Sequence, residues 1–138
     1  MTAKLDINTF SIDQTSEVES TVTKENVQLF AQVTGDTNPV HLDEEYAAST
    51  SFKKPIAHGM LTAGFISAVI GTALPGPGCI YLEQSLKFRA PVYIGDTVMT
   101  RVTITDINTR RKRLTIKTEC IVDSKVVVNG EAIIMIPA

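Results

Sequence analysis

Both histidines of this 138-residue chain stand in two short segments, Gly35-Asp36-Thr37-Asn38-Pro39-Val40-His41 and Ile56-Ala57-His58-Gly59-Met60. A carboxylate and an imidazole flanking a rigid turn can together hold one water, take a proton from it and deliver another, so acid–base catalysis by Asp36 and His41 is the first expectation. Spacing alone leaves a plainer alternative, because Asp before Asn-Pro is also ordinary turn chemistry and a lone His is more often structural. His58-Gly59-Met60 opens a long apolar stretch. Free amides and the positive end of a helix dipole there can hold an oxygen that becomes anionic, and Gly59 has no side chain to obstruct the approach. The alternative at Gly59 is close packing of helix on sheet. His41, Asp43 and His58 are chemically adequate metal ligands, but their spacing matches no metal motif. With no recognisable ligand spacing, no metal is expected.

The elements that must position these residues are legible from periodicity. Thr23 is placed to cap a helix with Val27, Phe30, Ala31 and Thr34 at i, i+3, i+4 and i+7, and Gly35 supplies its stop. Pro39 pushes Asn38 toward extended geometry, which predicts a non-helical turn from Asp36 to His41. Residues Asp43 to Ser49 predict one or two helical turns, with Tyr46 and Ala47 packing inward. Met60 to Ala73 is apolar or small on every side, the pattern of a helix about 20 Å long enclosed by other structure. Pro75-Gly76-Pro77-Gly78 ends it. The period then changes to two. Ile80, Leu82, Leu86 and Phe88, then Val98 to Ile104, Leu114 to Val122 and Val126 to Ile136 predict four strands, with an edge strand near Glu17 to Val22. Short connections favour antiparallel neighbours, so the expectation is an antiparallel sheet wrapped around one buried helix.

Composition bounds the function classes. One domain over 1–138 is expected at this length. Hydrophobic content of 43% with 20% charged residues is ordinary, and a net charge of −2 gives no global reason to expect nucleic acid as a partner. Arg110-Arg111-Lys112-Arg113 is a local basic run at a predicted hairpin tip, read first as a solvated face and second as a contact for a phosphate-bearing tail. Cys79 and Cys120 show no CxxC pairing and read as reduced core thiols. Neither Met1 to Phe10 nor Ile136-Pro137-Ala138 reads as a targeting signal, and Leu61 to Leu74 is too short to span a bilayer, so a cytoplasmic protein is expected with no membrane partner. There is no P-loop, HExxH or GxSxG.

The run Phe30-Ala31-Gln32-Val33-Thr34-Gly35-Asp36-Thr37-Asn38-Pro39-Val40-His41 closely resembles the hydratase 2 motif of (R)-specific enoyl-CoA hydratases in the MaoC-like dehydratase family. The likeness continues through Pro55-Ile56-Ala57-His58-Gly59-Met60, Leu74-Pro75-Gly76-Pro77-Gly78, Gln84-Ser85-Leu86-Lys87-Phe88 and Pro91-Val92 to Gly95-Asp96. Within the family the chain looks most like the single-domain, polyhydroxyalkanoate-associated kind. The resemblance implies an α+β hot dog fold, a homodimer joined edge to edge, an acyl-CoA thioester substrate and no cofactor beyond the CoA of that substrate. It implies reversible syn hydration of a trans-2-enoyl-CoA to (R)-3-hydroxyacyl-CoA. By similarity Asp36 and His41 are the catalytic pair and the Gly59 amide an oxyanion donor. Asn38 orients the turn or a water, and His58, Ser67 and Ile70 face substrate. Ile70 is bulky enough to limit acyl length to short or medium chains. The alternatives are a 3-hydroxyacyl-thioester dehydratase acting on acyl carrier protein, a non-catalytic acyl-CoA-binding hot dog module, and a hot dog thioesterase, which would not predict this Asp-to-His turn.

Overall fold

The structure, a computed structural model, describes residues 4–137. The expectations about a leader and a terminal address therefore fall partly on Met1 to Ala3 and Ala138, outside the described residues. Among the described residues no helix is long and apolar enough to cross a membrane.

Helix α1 (Lys24–Thr34) starts and stops where its sequence predicts. Thr23 Oγ1 accepts from the Asn26 amide at 3.0 Å and Asn26 Oδ1 accepts from the Thr23 amide at 3.1 Å, a reciprocal cap that satisfies two otherwise free donors. Gly35 closes the helix at φ 80°, a left-handed conformation that glycine adopts without strain. Val27 and Ala31 are buried, while Thr34 is exposed and turns its hydroxyl back onto the Phe30 carbonyl.

Pro39 corrects one expectation. It does not extend the turn as far as His41 but starts a short helix, α2 (Pro39–Leu42), at the first helical position, where its missing N–H breaks no bond. Asn38 caps α2, its Oδ1 accepting from the Val40 amide at 3.2 Å. Helix α3 (Glu44–Ala48) follows, capped by Asp43, whose Oδ1 accepts from the Tyr46 amide at 3.0 Å. Ala47 is buried as expected, but Tyr46 is 48% exposed.

Strands β1 (Thr15–Thr21), β2 (Ile80–Gln84), β3 (Lys87–Phe88), β4 (Thr97–Asn108), β5 (Arg113–Val122) and β6 (Lys125–Met135) form one antiparallel sheet. Its order is β1-β4-β5-β6-β2, with β3 also on β6. The run predicted as one strand from Ile80 to Phe88 is broken at Ser85 and Leu86 into β2 and β3. It lies at the sheet edge, so Ile80, Leu82 and Phe88 are exposed rather than sharing a buried face. The break has a visible cause at Gly130 of β6: a Cβ built there would fall on the Ser85 carbonyl, so the chain crosses β6 only where the side chain is absent. Ser85 is pinned there by its amide donating to the Glu131 carbonyl at 2.9 Å and its Oγ accepting from the Glu131 amide at 3.0 Å. Gly130→Ala is expected to cost about 2 to 3 kcal/mol, as overpacking against rigid backbone does, lowering the melting temperature by roughly 10 °C. A thermal melt of the variant unchanged from wild type would contradict this packing.

Helix α4 (Gly59–Thr72) lies across the sheet against β4 and β5. Its Ile66, Val69 and Ile70 join Val98, Val102, Ile104, Leu114, Ile116 and Ile134 in the core. The sheet covers one side of α4, not its whole circumference: Met60, Gly64, Ser67, Ala68 and Thr72 are exposed. All-round small and apolar composition cannot by itself say which face is packed. Cys79 is partly buried and Cys120 buried, and both are free thiols, as expected.

Candidate active site

Three segments bring the chemistry together. Gly35 ends α1 and releases Asp36 into a turn, α2 carries His41, and residues 55–57 lead into α4 beside both. Residues 55–57 are fixed from two sides. The Ile56 amide donates to the Val40 carbonyl at 3.3 Å, and the Ala57 amide donates to the Val92 carbonyl at 2.7 Å, with Ile56 also bridging Tyr93. A carboxylate oxygen of Asp36 and ring nitrogens of His41 and His58 lie within 4.8 Å of one another.

The hydrogen bonds set the histidine tautomers. His41 Nδ1 is 2.7 Å from the Ile56 carbonyl and must donate to it, which leaves Nε2 as the free acceptor. His58 Nε2 donates to the Asp36 carbonyl at 2.9 Å. The two rings stack with centroids 3.9 Å apart and planes 28° apart, and Phe30 meets His58 at 4.7 Å. Asp36 is exposed, its Oδ1 accepting from the Asn38 amide at 3.3 Å. Burial lowers the His41 pKa from its ordinary 6.5; the Ile56 carbonyl opposes that, the neighbouring His58 adds to it, and Asp36 acts against it.

This donor set suits proton transfer better than chelation. Imidazole lone pairs lie in the ring plane, and two stacked, nearly parallel rings do not converge on one ion at about 2.0 Å from each nitrogen. His58 Nε2 is already engaged by a carbonyl, and Asp43 is engaged as a helix cap.

Asp36, His41, His58 and Gly59 line one cavity of about 520 Å³, whose walls are otherwise largely apolar, among them Phe52, Ile56, Met60, Phe88 and Val128. Gly59 is the first residue of α4, and among the described residues no acceptor meets its amide or that of Met60. The helix dipole adds positive potential at the same point. The Phe88 ring lies directly over Gly59, where a Cβ would come within 2.7 Å of it.

Four of the seven predicted site residues, Asp36, His41, His58 and Gly59, therefore share this cavity, and three do not line it. Asn38 acts at one remove, as the cap of α2. Ser67 lies on the exposed face of α4, and Ile70 is fully buried in the core. These two do not share a face, because the sheet covers one and not the other. The limit on acyl length assigned to Ile70 accordingly has no basis in this cavity. Phe88 and Phe52 were not anticipated; Phe88 reads as one more strand residue, and nothing in its neighbourhood signals a cavity wall. The basic run at Arg110 to Arg113 lies at the other end of β6 from the cavity, since Arg113 pairs with Met135 whereas the cavity meets β6 at Val128.

Residues 8–126 match the family described as MaoC like domain. The chain is 54% identical over 125 residues to an (R)-specific enoyl-CoA hydratase of Rhodospirillum rubrum, covering 91% of this chain and 87% of that protein. It is 46% identical to a 3-hydroxybutyryl-CoA dehydratase of Methylorubrum extorquens, over 89% of this chain and 78% of that one. The fold superposes on an R-hydratase of Pseudomonas aeruginosa solved without ligand at a TM-score of 0.91 and 44% identity, covering 97% of this chain and 86% of that one.

Proposed function

The chain belongs to the MaoC-like domain family, and from that premise we propose that it catalyses the reversible, (R)-specific hydration of trans-2-enoyl-CoA to (R)-3-hydroxyacyl-CoA. The observation that carries this is the convergence of a carboxylate, an imidazole with a free Nε2 and an unpaired helix amide on one apolar cavity. The Rhodospirillum rubrum and Methylorubrum extorquens relatives are, by name, enzymes of CoA thioesters.

The thioester oxygen accepts from the Gly59 amide, which draws electrons from the double bond and stabilises the enolate-like charge formed on attack. A water held between the Asp36 carboxylate and His41 Nε2 adds at the β-carbon. Its proton passes to the pair, which returns one to the α-carbon from the same side. One acid–base cluster on one face gives syn addition. Adding water changes no oxidation state and both proton transfers are supplied by side chains, so we propose that no cofactor takes part.

The mechanism requires the His41 Nε2 lone pair, which protonation removes. Because burial lowers this pKa, the pair stays competent into acid: activity holds as pH falls through 6.5 and is lost below it. A kcat/KM profile on crotonyl-CoA with its acid limb centred above 6.5 would contradict this. The function itself is tested by following loss of the conjugated thioester absorbance of crotonyl-CoA and determining the product's chirality. Either no turnover or an (S) product overturns it, and faster turnover of the matched carrier-protein thioester would move the substrate to that class.

We further propose a homodimer through β2. This edge exposes Ile80, Tyr81 and Leu82 at 38–40%, whereas the opposite edge, β1, carries Glu17 and Glu19, which disfavour pairing. Light scattering at the mass of a single chain would exclude it.

A further inference from the structure

We propose that His58 is a positioning residue for this reaction, bracing the Asp36 backbone and the His41 ring against each other rather than binding substrate. The proposal rests on the hydratase reading above.

Asp36 sits on a segment with little else to hold it. The other hydrogen bonds of residues 35–38 are local, to partners no more than four residues away, among them the Asp36 amide donating to Thr34 Oγ1 at 3.1 Å, the Thr37 amide to the Gly35 carbonyl at 3.0 Å, and the Asn38 amide to Asp36 Oδ1 at 3.3 Å. Among the described residues, the bond from His58 Nε2 to the Asp36 carbonyl is the one that ties this turn to a segment distant in sequence. Without it the turn keeps its shape and loses its place.

The same ring fixes the other partner. His58 lies between Phe30 of α1 and His41 of α2, stacked on the latter at 3.9 Å. The Ile56 carbonyl fixes one edge of the His41 ring; the stack fixes its plane. Together they aim Nε2.

Two observations argue against a substrate contact. His58 is 2% exposed, and its Nδ1 is buried without a partner, so neither nitrogen is presented to a ligand. At the N-cap position of α4 a polar side chain ordinarily bonds the first helical amides, yet His58 makes no such bond and its ring is turned to Asp36 instead. A displacement of about 1 Å between acid–base groups costs on the order of 10² in rate, so a brace of this kind shows in kcat.

His58→Phe keeps an aromatic ring in the stack and removes the N–H. On crotonyl-CoA it is expected to lower kcat roughly 10- to 100-fold with KM within about 3-fold of wild type. Unchanged kcat overturns the proposal, and so does a raised KM with kcat retained, which is the signature of a substrate ligand. His58→Gln and His58→Leu, similar in size and differing in the N–H, give a second comparison should the Phe variant not fold. The Gln variant is expected to exceed the Leu variant in kcat by about 10-fold, and equality overturns the brace. A wild-type protein inactive on crotonyl-CoA would instead overturn the hydratase reading. The brace is then decided by amide hydrogen exchange at Asp36 to Asn38, which must quicken in the Phe variant.

Discussion

His41→Ala is expected to lower kcat for hydration of crotonyl-CoA by about 10² to 10⁴ while the chain stays folded, the loss typical when a positioned acid–base group is removed. The fold should tolerate it because His41 lies outside the core cluster, on the short helix α2, whose cap at Asn38 and tie to Ile56 through the Val40 carbonyl do not use the imidazole. Asp36→Asn provides the companion measurement: the amide oxygen can still accept from the Asn38 amide, so the turn survives while the negative charge is lost. A loss of similar size is expected. The double variant should be little worse than the poorer single one, because residues acting as a unit are not additive. Initial rates from thioester absorbance, with circular dichroism melts to confirm folding, decide the matter. Near-normal turnover in either single variant would remove the pair from the mechanism.

The second large effect concerns the Gly59 amide. Proline at this position deletes the N–H yet suits the backbone, because it occupies the first helical position, where a missing N–H breaks no helical bond, and His58 already has the extended geometry that precedes proline (φ −58°, ψ 135°). Any Cβ, however, meets the Phe88 ring at 2.7 Å, so alanine at Gly59 is not an innocent control by itself. Both substitutions belong in a Phe88→Ala background, which clears the space. There, Gly59→Pro is expected to lower kcat by about 10² to 10³, the usual effect of losing one oxyanion donor, whereas Gly59→Ala should stay within a few-fold of Phe88→Ala alone. Equal losses from both would mean that Gly59 serves packing between helix and strand, and that the thioester oxygen is held elsewhere.

Much of the site was legible because its parts are local. Thr23 and Gly35 mark the ends of α1 through caps made by neighbours in sequence, so Asp36 follows directly beyond a helix end. Pro39 shows the limit of such reasoning: it marks a boundary, but whether it ends an extended run or begins a helix depends on the residues after it, and here Asn38 caps a turn that places His41 on α2. The strands were recognisable from alternation, yet the break at Ser85 and Leu86 came from Gly130, a residue far along the chain with no pattern to announce its contact. Ser67 and Ile70 failed as a pair for a related reason. Helical spacing says that two residues are neighbours, but only the position of the sheet decides that one is in the core and the other in the open.

By itself the sequence determined which groups could act: one carboxylate beside one imidazole across a proline turn, and a glycine amide opening an apolar helix. Those are properties of residue type and short-range spacing, which backbone geometry enforces locally. The tertiary structure alone decided that these groups meet, that His41 presents Nε2 because Ile56 holds Nδ1, that His58 turns to Asp36, and that Phe88 covers Gly59. Such contacts join segments far apart in the chain, and their geometry follows from how the sheet and α4 pack, which no local pattern encodes.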